Sequence, residues 1–226
     1  MSRRKNAYLR CKACLMHPSL CVCSLVPRLE TKTKLLLVIH RIEKRKPSNT
    51  GRLGADCLVN SEILVRGHEE TPTPPFVPAP STQPLFLYPA EDAIPITRFA
   101  DSPVPCTLIV PDGTWRQASK VRYRVPGFKD VPCVSLPPDV PSIYRLRSEA
   151  HAHGLATVEA IARAFGILEG PVEGPKVRSQ IERVFQAMVD RTLWSRGELD
   201  DAQVTGGVPE GAMRHDPLSG TRAADR

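Results

Sequence analysis

The sequence predicts an α/β fold built on a parallel sheet, with a small cysteine-bearing module in front of it. Three observations carry this expectation. Four short runs are apolar without polar alternation: 33–40, 85–88, 106–110 and 131–136, as strands buried on both faces require. Segments of helical periodicity alternate with them or follow them, the order that gives a parallel sheet. Four of the seven cysteines crowd into residues 11–23. The expected domains are a zinc-binding cysteine cluster over 1–30, an α/β domain over 31–196 and a disordered tail over 197–226.

In chain order, Cys11-x-x-Cys14 and Cys21-x-Cys23 form two close thiol pairs, with Pro18 and small residues between them to turn the chain. Four thiolates around a tetrahedral ion make a structural zinc site and leave no open position for chemistry. His17 lies between the pairs as a possible replacement ligand. TKLLLVIH at 33–40 reads as the first strand and RIEKRKPSNTGRL at 41–53 as a basic loop. Gly54 to Gly67 reads as a helix with Ala55, Leu58, Val59, Ile63 and Leu64 near one face. Residues 70–84 hold six prolines and are expected to be irregular. LFLY at 85–88 and CTLIV at 106–110 are the second and third strands. Trp115 to Arg124 reads as a helix stopped by Pro126-Gly127, and VPCVSL at 131–136 as the fourth strand. Leu155 to Leu168 and Val177 to Trp194 are amphipathic helices, the first ended by Glu169-Gly170-Pro171. Beyond Gly197 the chain is rich in Gly, Pro and charge. Cys57, Cys106 and Cys133 fall in elements and read as core thiols.

Composition narrows the function classes. With 41% hydrophobic and 24% charged residues in 226, the chain is an ordinary globular sequence. No run of about 18 apolar residues exists to span a membrane, and MSRRKNAYLRCKAC lacks the apolar centre of a secretory leader. A cytoplasmic protein is expected, with no protein partner evident. The net charge of +7 and pI of about 9.2 favour a polyanionic partner.

Ligands of open α/β sheets bind beyond the carboxyl ends of the strands. The polar loops in those places are 40–53, 88–93, 111–119 and 142–149. The third carries Asp112-Gly113-Thr114-Trp115, one of only two tryptophans in the chain. Asp112 reads either as a base or as a helix cap. Trp115 reads either as a stacking surface for a base or as a core anchor. Arg145 and Arg147 suit an RNA phosphate or a carboxylate, or else a solvated loop. Arg41, Lys44, Arg45, Lys46 and Arg52 form the densest positive run outside the N-terminus, suited to phosphates. Glu159 reads as a surface ion pair or a cap, and Glu91 and Asp92 as turn formers.

Five blocks together resemble the DTW-domain family. They are Asp112-Gly-Thr114-Trp115-Arg116-Gln117-Ala118; Asn49-Thr50-Gly51-Arg52; Tyr-Pro-Ala-Glu-Asp-Ala at 88–93; Ser142-x-Tyr144-Arg145-Leu-Arg147; and Ala156-Thr157-Val-Glu159-Ala160. The resemblance runs from Cys11 to about Trp194. Three places are atypical: Arg41 after His40 where proline is expected, Tyr88 for phenylalanine, and Ala156 without the usual hydroxyl.

The resemblance implies a SPOUT-like sheet with a C-terminal knot, a rare exception to unknotted chains. It also implies a tRNA-uridine aminocarboxypropyltransferase: an enzyme moving the 3-amino-3-carboxypropyl group of S-adenosylmethionine to N3 of a uridine. Alternatives are a ribosomal RNA aminocarboxypropyl- or methyltransferase, or a zinc-containing RNA-binding protein without catalysis. On the first reading Asp112 is the base that takes the uridine N3 proton. Thr114, Trp115, Ser142, Tyr144 and Arg145 would meet the donor. Arg41, Lys44, Arg45, Asn49, Thr50, Arg52, Arg116 and Arg147 would meet tRNA. Cys11, Cys14, Cys21 and Cys23 would hold structural zinc.

Overall fold

A computed structural model describes residues 10–44, 46, 49–68, 70, 72–146 and 154–214. Among them six strands form one parallel sheet: β1 Lys34–His40, β2 Ser61–Arg66, β3 Gln83–Leu87, β4 Ile94–Pro95, β5 Cys106–Asp112 and β6 Cys133–Ser135. Their order is β2-β1-β5-β3-β6-β4, and every neighbouring pair is parallel. The continuous apolar runs are explained by this arrangement. In β1, Leu35, Leu37 and Ile39 enter one core while Leu36 and Val38 enter another, because successive strand side chains point to opposite faces.

The larger core lies under the helices α1 Gly51–Asp56, α4 Thr157–Leu168 and α5 Gly170–Ser195. The smaller one joins Phe86, Ile109, Val121, Val125 and Phe128 beneath the short helices α2 Trp115–Ala118 and α3 Val121–Arg124. The helix expected over 115–124 is thus two short pieces. Cys57, Cys106 and Cys133 are buried as expected, and burial pushes the Cys57 thiol up to about 12.

Two further expectations are corrected at element level. The helix read over 54–67 ends at Asp56, and Ser61–Arg66 is strand β2 at the sheet edge. Its run of Ile63, Leu64 and Val65 pairs with β1, and these side chains prefer a pleated surface. The last helix starts at Gly170, seven residues ahead of the expected Val177. Pro171 is tolerated in its first turn, and Gly174 is required there, since a Cβ would lie 2.2 Å from the Gly166 carbonyl oxygen. Glycine at this contact lets α4 and α5 cross closely.

The Pro-rich segment is irregular up to β3, yet it is anchored: Phe76 stacks on Phe128 at 5.2 Å and its N–H donates to the Pro126 carbonyl at 2.8 Å. The cysteine module is not independent either, because Met16, Leu20 and Val22 belong to the larger core. Nor is the segment after Gly197 a disordered tail over its described length. Val204 is buried, Trp194 donates to Asp201 at 2.6 Å, and Arg214 lies over the Trp194 ring. Buried Arg191 joins the cysteine module to the segment after α5, donating to Cys21 O and to the Gly206 and Gly207 carbonyls. Residues 215–226 lie outside the described residues. No described helix is long and apolar enough to cross a membrane.

Candidate active site

The site grows from the end of β5, the strand lying between β1 and β3. Asp112 closes that strand and is only 5% exposed. Its Oδ1 accepts from the Thr157 hydroxyl at 2.6 Å and its Oδ2 from Asn49 Nδ2. Asn49 precedes α1, and Thr157 opens α4. Gly51 lets α1 approach this carboxylate: a Cβ there would stand 3.0 Å from Asp112 Cγ. Three sequence blocks far apart in the chain therefore meet at one carboxylate.

Asp112 is not a helix cap. The cap of α2 is Thr114, whose hydroxyl accepts from Gln117 N at 3.3 Å while Gln117 Oε1 accepts from Thr114 N at 2.8 Å. This reciprocal box satisfies two backbone donors of the short helix and fixes the turn after β5. Trp115, the next residue, is 37% exposed. A core anchor would be buried, so that reading fails. Its ring meets Tyr88 edge-on at 6.0 Å, which puts two aromatic faces beside each other at the ends of β3 and β5.

The segment after β6 is held by a residue whose importance the sequence did not reveal. Glu159 is buried; it accepts from Ser142 Oγ at 2.6 Å, Ile143 N at 2.8 Å and Ala156 N at 2.8 Å. The last of these is half a capping box, the half that survives with alanine at position 156. Tyr144 is buried with its ring 5.3 Å from Phe185, so its aromatic body packs in the core. Arg145 is exposed. Glu159→Ala leaves three donors without an acceptor at about 1 kcal/mol or more each. We expect about 3 kcal/mol lost in urea unfolding, with Glu159→Gln milder; an unchanged midpoint in the alanine variant would refute this.

The residues expected to meet RNA divide. Arg41 and Lys44 are exposed, Arg52 is half-buried and Arg116 is exposed on α2. Asn49 and Thr50 point inward instead, Asn49 to Asp112 and Thr50 into a buried position, because α1 begins there and packs on the sheet. Arg45 and Arg147 lie outside the described residues. Glu91 and Asp92 are exposed, and Asp92 pairs with Arg122 at 2.6 Å.

The four cysteines of the N-terminal module converge. All are free, and their sulfurs lie within 4.8 Å of one another. The Cys11–Cys23 separation is 3.6 Å, and Cys14–Cys21 and Cys21–Cys11 are 3.7 Å each. Four sulfurs at 2.3 Å from a central ion would be about 3.8 Å apart, so the set could hold a metal. For Cys11, burial is outweighed by backbone N–H groups of Cys14 and Ala13 and by the thiols of Cys23 and Cys21, which bring it down to about 7. Burial pushes Cys14 and Cys23 up, and contact with Cys21 adds to it. His17 turns away to Ser19, with Nδ1 2.8 Å from its hydroxyl.

Comparison with known proteins points the same way. The DTW domain family profile matches residues 8–193. The chain is 32% identical over 167 residues to tRNA-uridine aminocarboxypropyltransferase 2 of Macaca fascicularis, covering 70% of this chain and 56% of that protein. The Mus musculus protein of the same name gives the same identity and coverage. The chain thus spans just over half the length of these two relatives. It is 29% identical over 213 residues to tRNA-uridine aminocarboxypropyltransferase A of Arabidopsis thaliana, with 79% of each chain covered. No solved structure matches.

Proposed function

This chain belongs to the DTW-domain family, and on that premise we propose that it is a tRNA-uridine aminocarboxypropyltransferase using S-adenosylmethionine. The observation that carries the reading is the convergence of Asn49, Asp112 and Thr157, one from each of three family blocks, on a single carboxylate at a strand end. A binding protein without catalysis has no need to build such a point.

The sulfonium donor supplies an electrophilic carbon and a neutral thioether as leaving group. The uridine N3–H is a weak acid; Asp112 takes its proton as the N3 lone pair forms the new N–C bond. The C–S bond breaks with its electrons going to sulfur, and methylthioadenosine leaves. Asn49 and Thr157 hold the Asp112 carboxylate in one orientation, and orientation is what chooses among the three carbons on sulfur. Trp115 and Tyr88 offer aromatic faces to a flat base. Arg145 supplies a guanidinium for the donor carboxylate. The Ser142–Arg145 segment lines the donor side, braced by Glu159. Cys11, Cys14, Cys21 and Cys23 would hold a zinc ion, which would brace the N-terminal module against α5.

The SPOUT-like class and its knot belong to the same proposal. The late strand β6 lies between the earlier β3 and β4, with Leu87 and Ile94 both level with Val134. The 88–93 link therefore bridges the exit of β6, and the chain leaving β6 must pass that bridge. This supports threading.

The test is transfer to unmodified tRNA from donor labelled either on its carboxyl carbon or on its methyl. Carboxyl label in the RNA is the expected result; methyl label, or none, would overturn the reading.

A further inference from the structure

At the ends of β1 and β2, next to the Asp112 turn, lies a cleft of about 430 Å³ lined by His40, Arg66, Arg116, Lys120 and Arg124, with Thr114 and Gln117 at its edge. His40 and Arg66 face each other across the β1–β2 pair, one step beyond the level at which Ile39 pairs with Asp112. Four permanent cations converge here, yet among the described residues none has a carboxylate within ion-pair distance. The nearby Glu43 is already paired with Lys46 at 2.6 Å.

Arg66 is the unusual member. It is only 5% exposed, its Nε is buried with no hydrogen-bond partner, and its one described side-chain bond runs from Nη2 to the Gln117 carbonyl at 3.3 Å. Burying a charge without its counterion is costly. Arg124 adds repulsion, so burial first and Arg124 second pull the Arg66 pKa down. An arginine fork held this way, with donors left over, is matched by an oxyanion.

We propose that this cleft binds a backbone phosphate of the RNA substrate, with Arg66 as its buried anchor and Arg116, Lys120 and Arg124 as its outer contacts. The inference rests on the RNA-modifying function proposed above and names where that RNA is gripped. The donor's methionine carboxylate is the other candidate anion, and charge argues against it. That moiety also carries an ammonium and a sulfonium, and the described residues lining this cleft include no acid to receive them. Arg41 and Lys44, exposed just beyond β1, extend the positive surface in the direction a polyanion would follow.

The test measures binding of an unmodified tRNA transcript by anisotropy over a KCl series, beside donor KM. Each phosphate contact contributes about 0.7–0.9 to the salt slope. The exposed pair Arg116→Gln/Arg124→Gln should flatten the slope by about 1–2, weaken tRNA binding roughly tenfold at moderate salt, and leave donor KM unchanged. Arg66→Gln should do the same; its thermal melt separates lost grip from lost fold. Unchanged slope and affinity in the exposed pair, or an effect confined to donor KM, would overturn the site. A wild-type protein that binds tRNA but transfers nothing refutes the proposed reaction and spares the cleft. One that binds no tRNA refutes both.

Discussion

Asp112→Asn is expected to fold and to lose transfer activity by about 10²–10⁴-fold, the contribution of a positioned acid or base. The substitution removes the base but nearly keeps the shape. The new side-chain oxygen can still accept from Asn49 Nδ2 only if the new amide nitrogen faces the Thr157 hydroxyl, which must then turn from donor to acceptor. Asn49 cannot turn over freely, because its Oδ1 accepts from Arg52 N at 3.3 Å. The first arrangement costs the charge on both bonds, and the opposite orientation sets a buried donor against a donor at about 1–3 kcal/mol, so activity alone would confuse chemistry with stability. The exchange Asn49→Asp/Asp112→Asn separates the two. It restores a carboxylate–amide pair across the same contact and should recover much of the thermal stability, while the carboxylate now sits on the segment before α1 and not at the end of β5. Stability recovered without turnover is the expected result. Recovery of both would show that Asp112 serves only to join β5, α1 and α4.

Loss of the metal should produce the largest stability effect. Purified protein is expected to carry one equivalent of zinc, and Cys14→Ser or Cys21→Ser should lose it. Cys11, Cys14, Cys21 and Cys23 meet in the spacing a tetrahedral ion imposes. Without an ion, burial favours the protonated thiols of Cys14 and Cys23, and binding must displace those protons. The module's apolar residues Met16, Leu20 and Val22 are part of the main core, so releasing it opens that core. A loss of about 4 kcal/mol corresponds to a Tm lower by roughly 8–16 °C in a domain of this size. Protein that purifies metal-free and melts at the same temperature after chelation would refute the assignment.

The buried parallel strands β1, β5 and β6 were legible because a strand covered on both faces has to be apolar throughout. β2 was not. As an edge strand it exposes Glu62 and Ile63, and its apolar positions happen to fit a helical period as well. That misreading hid Arg66, which no one would mark as a phosphate anchor on a helix. Asp112 was singled out because its motif stands at a strand end, but its partners were not: hydrogen bonds between residues 45 and 63 positions apart leave no periodic trace. Glu159 was visible only as half of a cap. The start of α5 was obscured by Gly170, Pro171, Gly174 and Pro175, whose local preference is overruled by the close crossing with α4. The cysteine spacing, by contrast, encoded its own geometry.

The clasp made by Arg191 sets a constraint on how the protein is born. Its partner carbonyl on Cys21 lies 170 residues earlier in the chain. At about 5–20 residues per second, the ribosome needs roughly 9–34 s to supply the helix on which the earlier segment docks. During that interval Met16, Leu20, Val22 and four reactive thiols have no permanent cover. Early capture of a metal would keep the thiols from oxidation or mispairing, but the apolar side chains must wait for the last helix. Premature termination within α5 should therefore yield a product that chaperones retain, exposing the cysteine module together with the face of α4 that α5 covers.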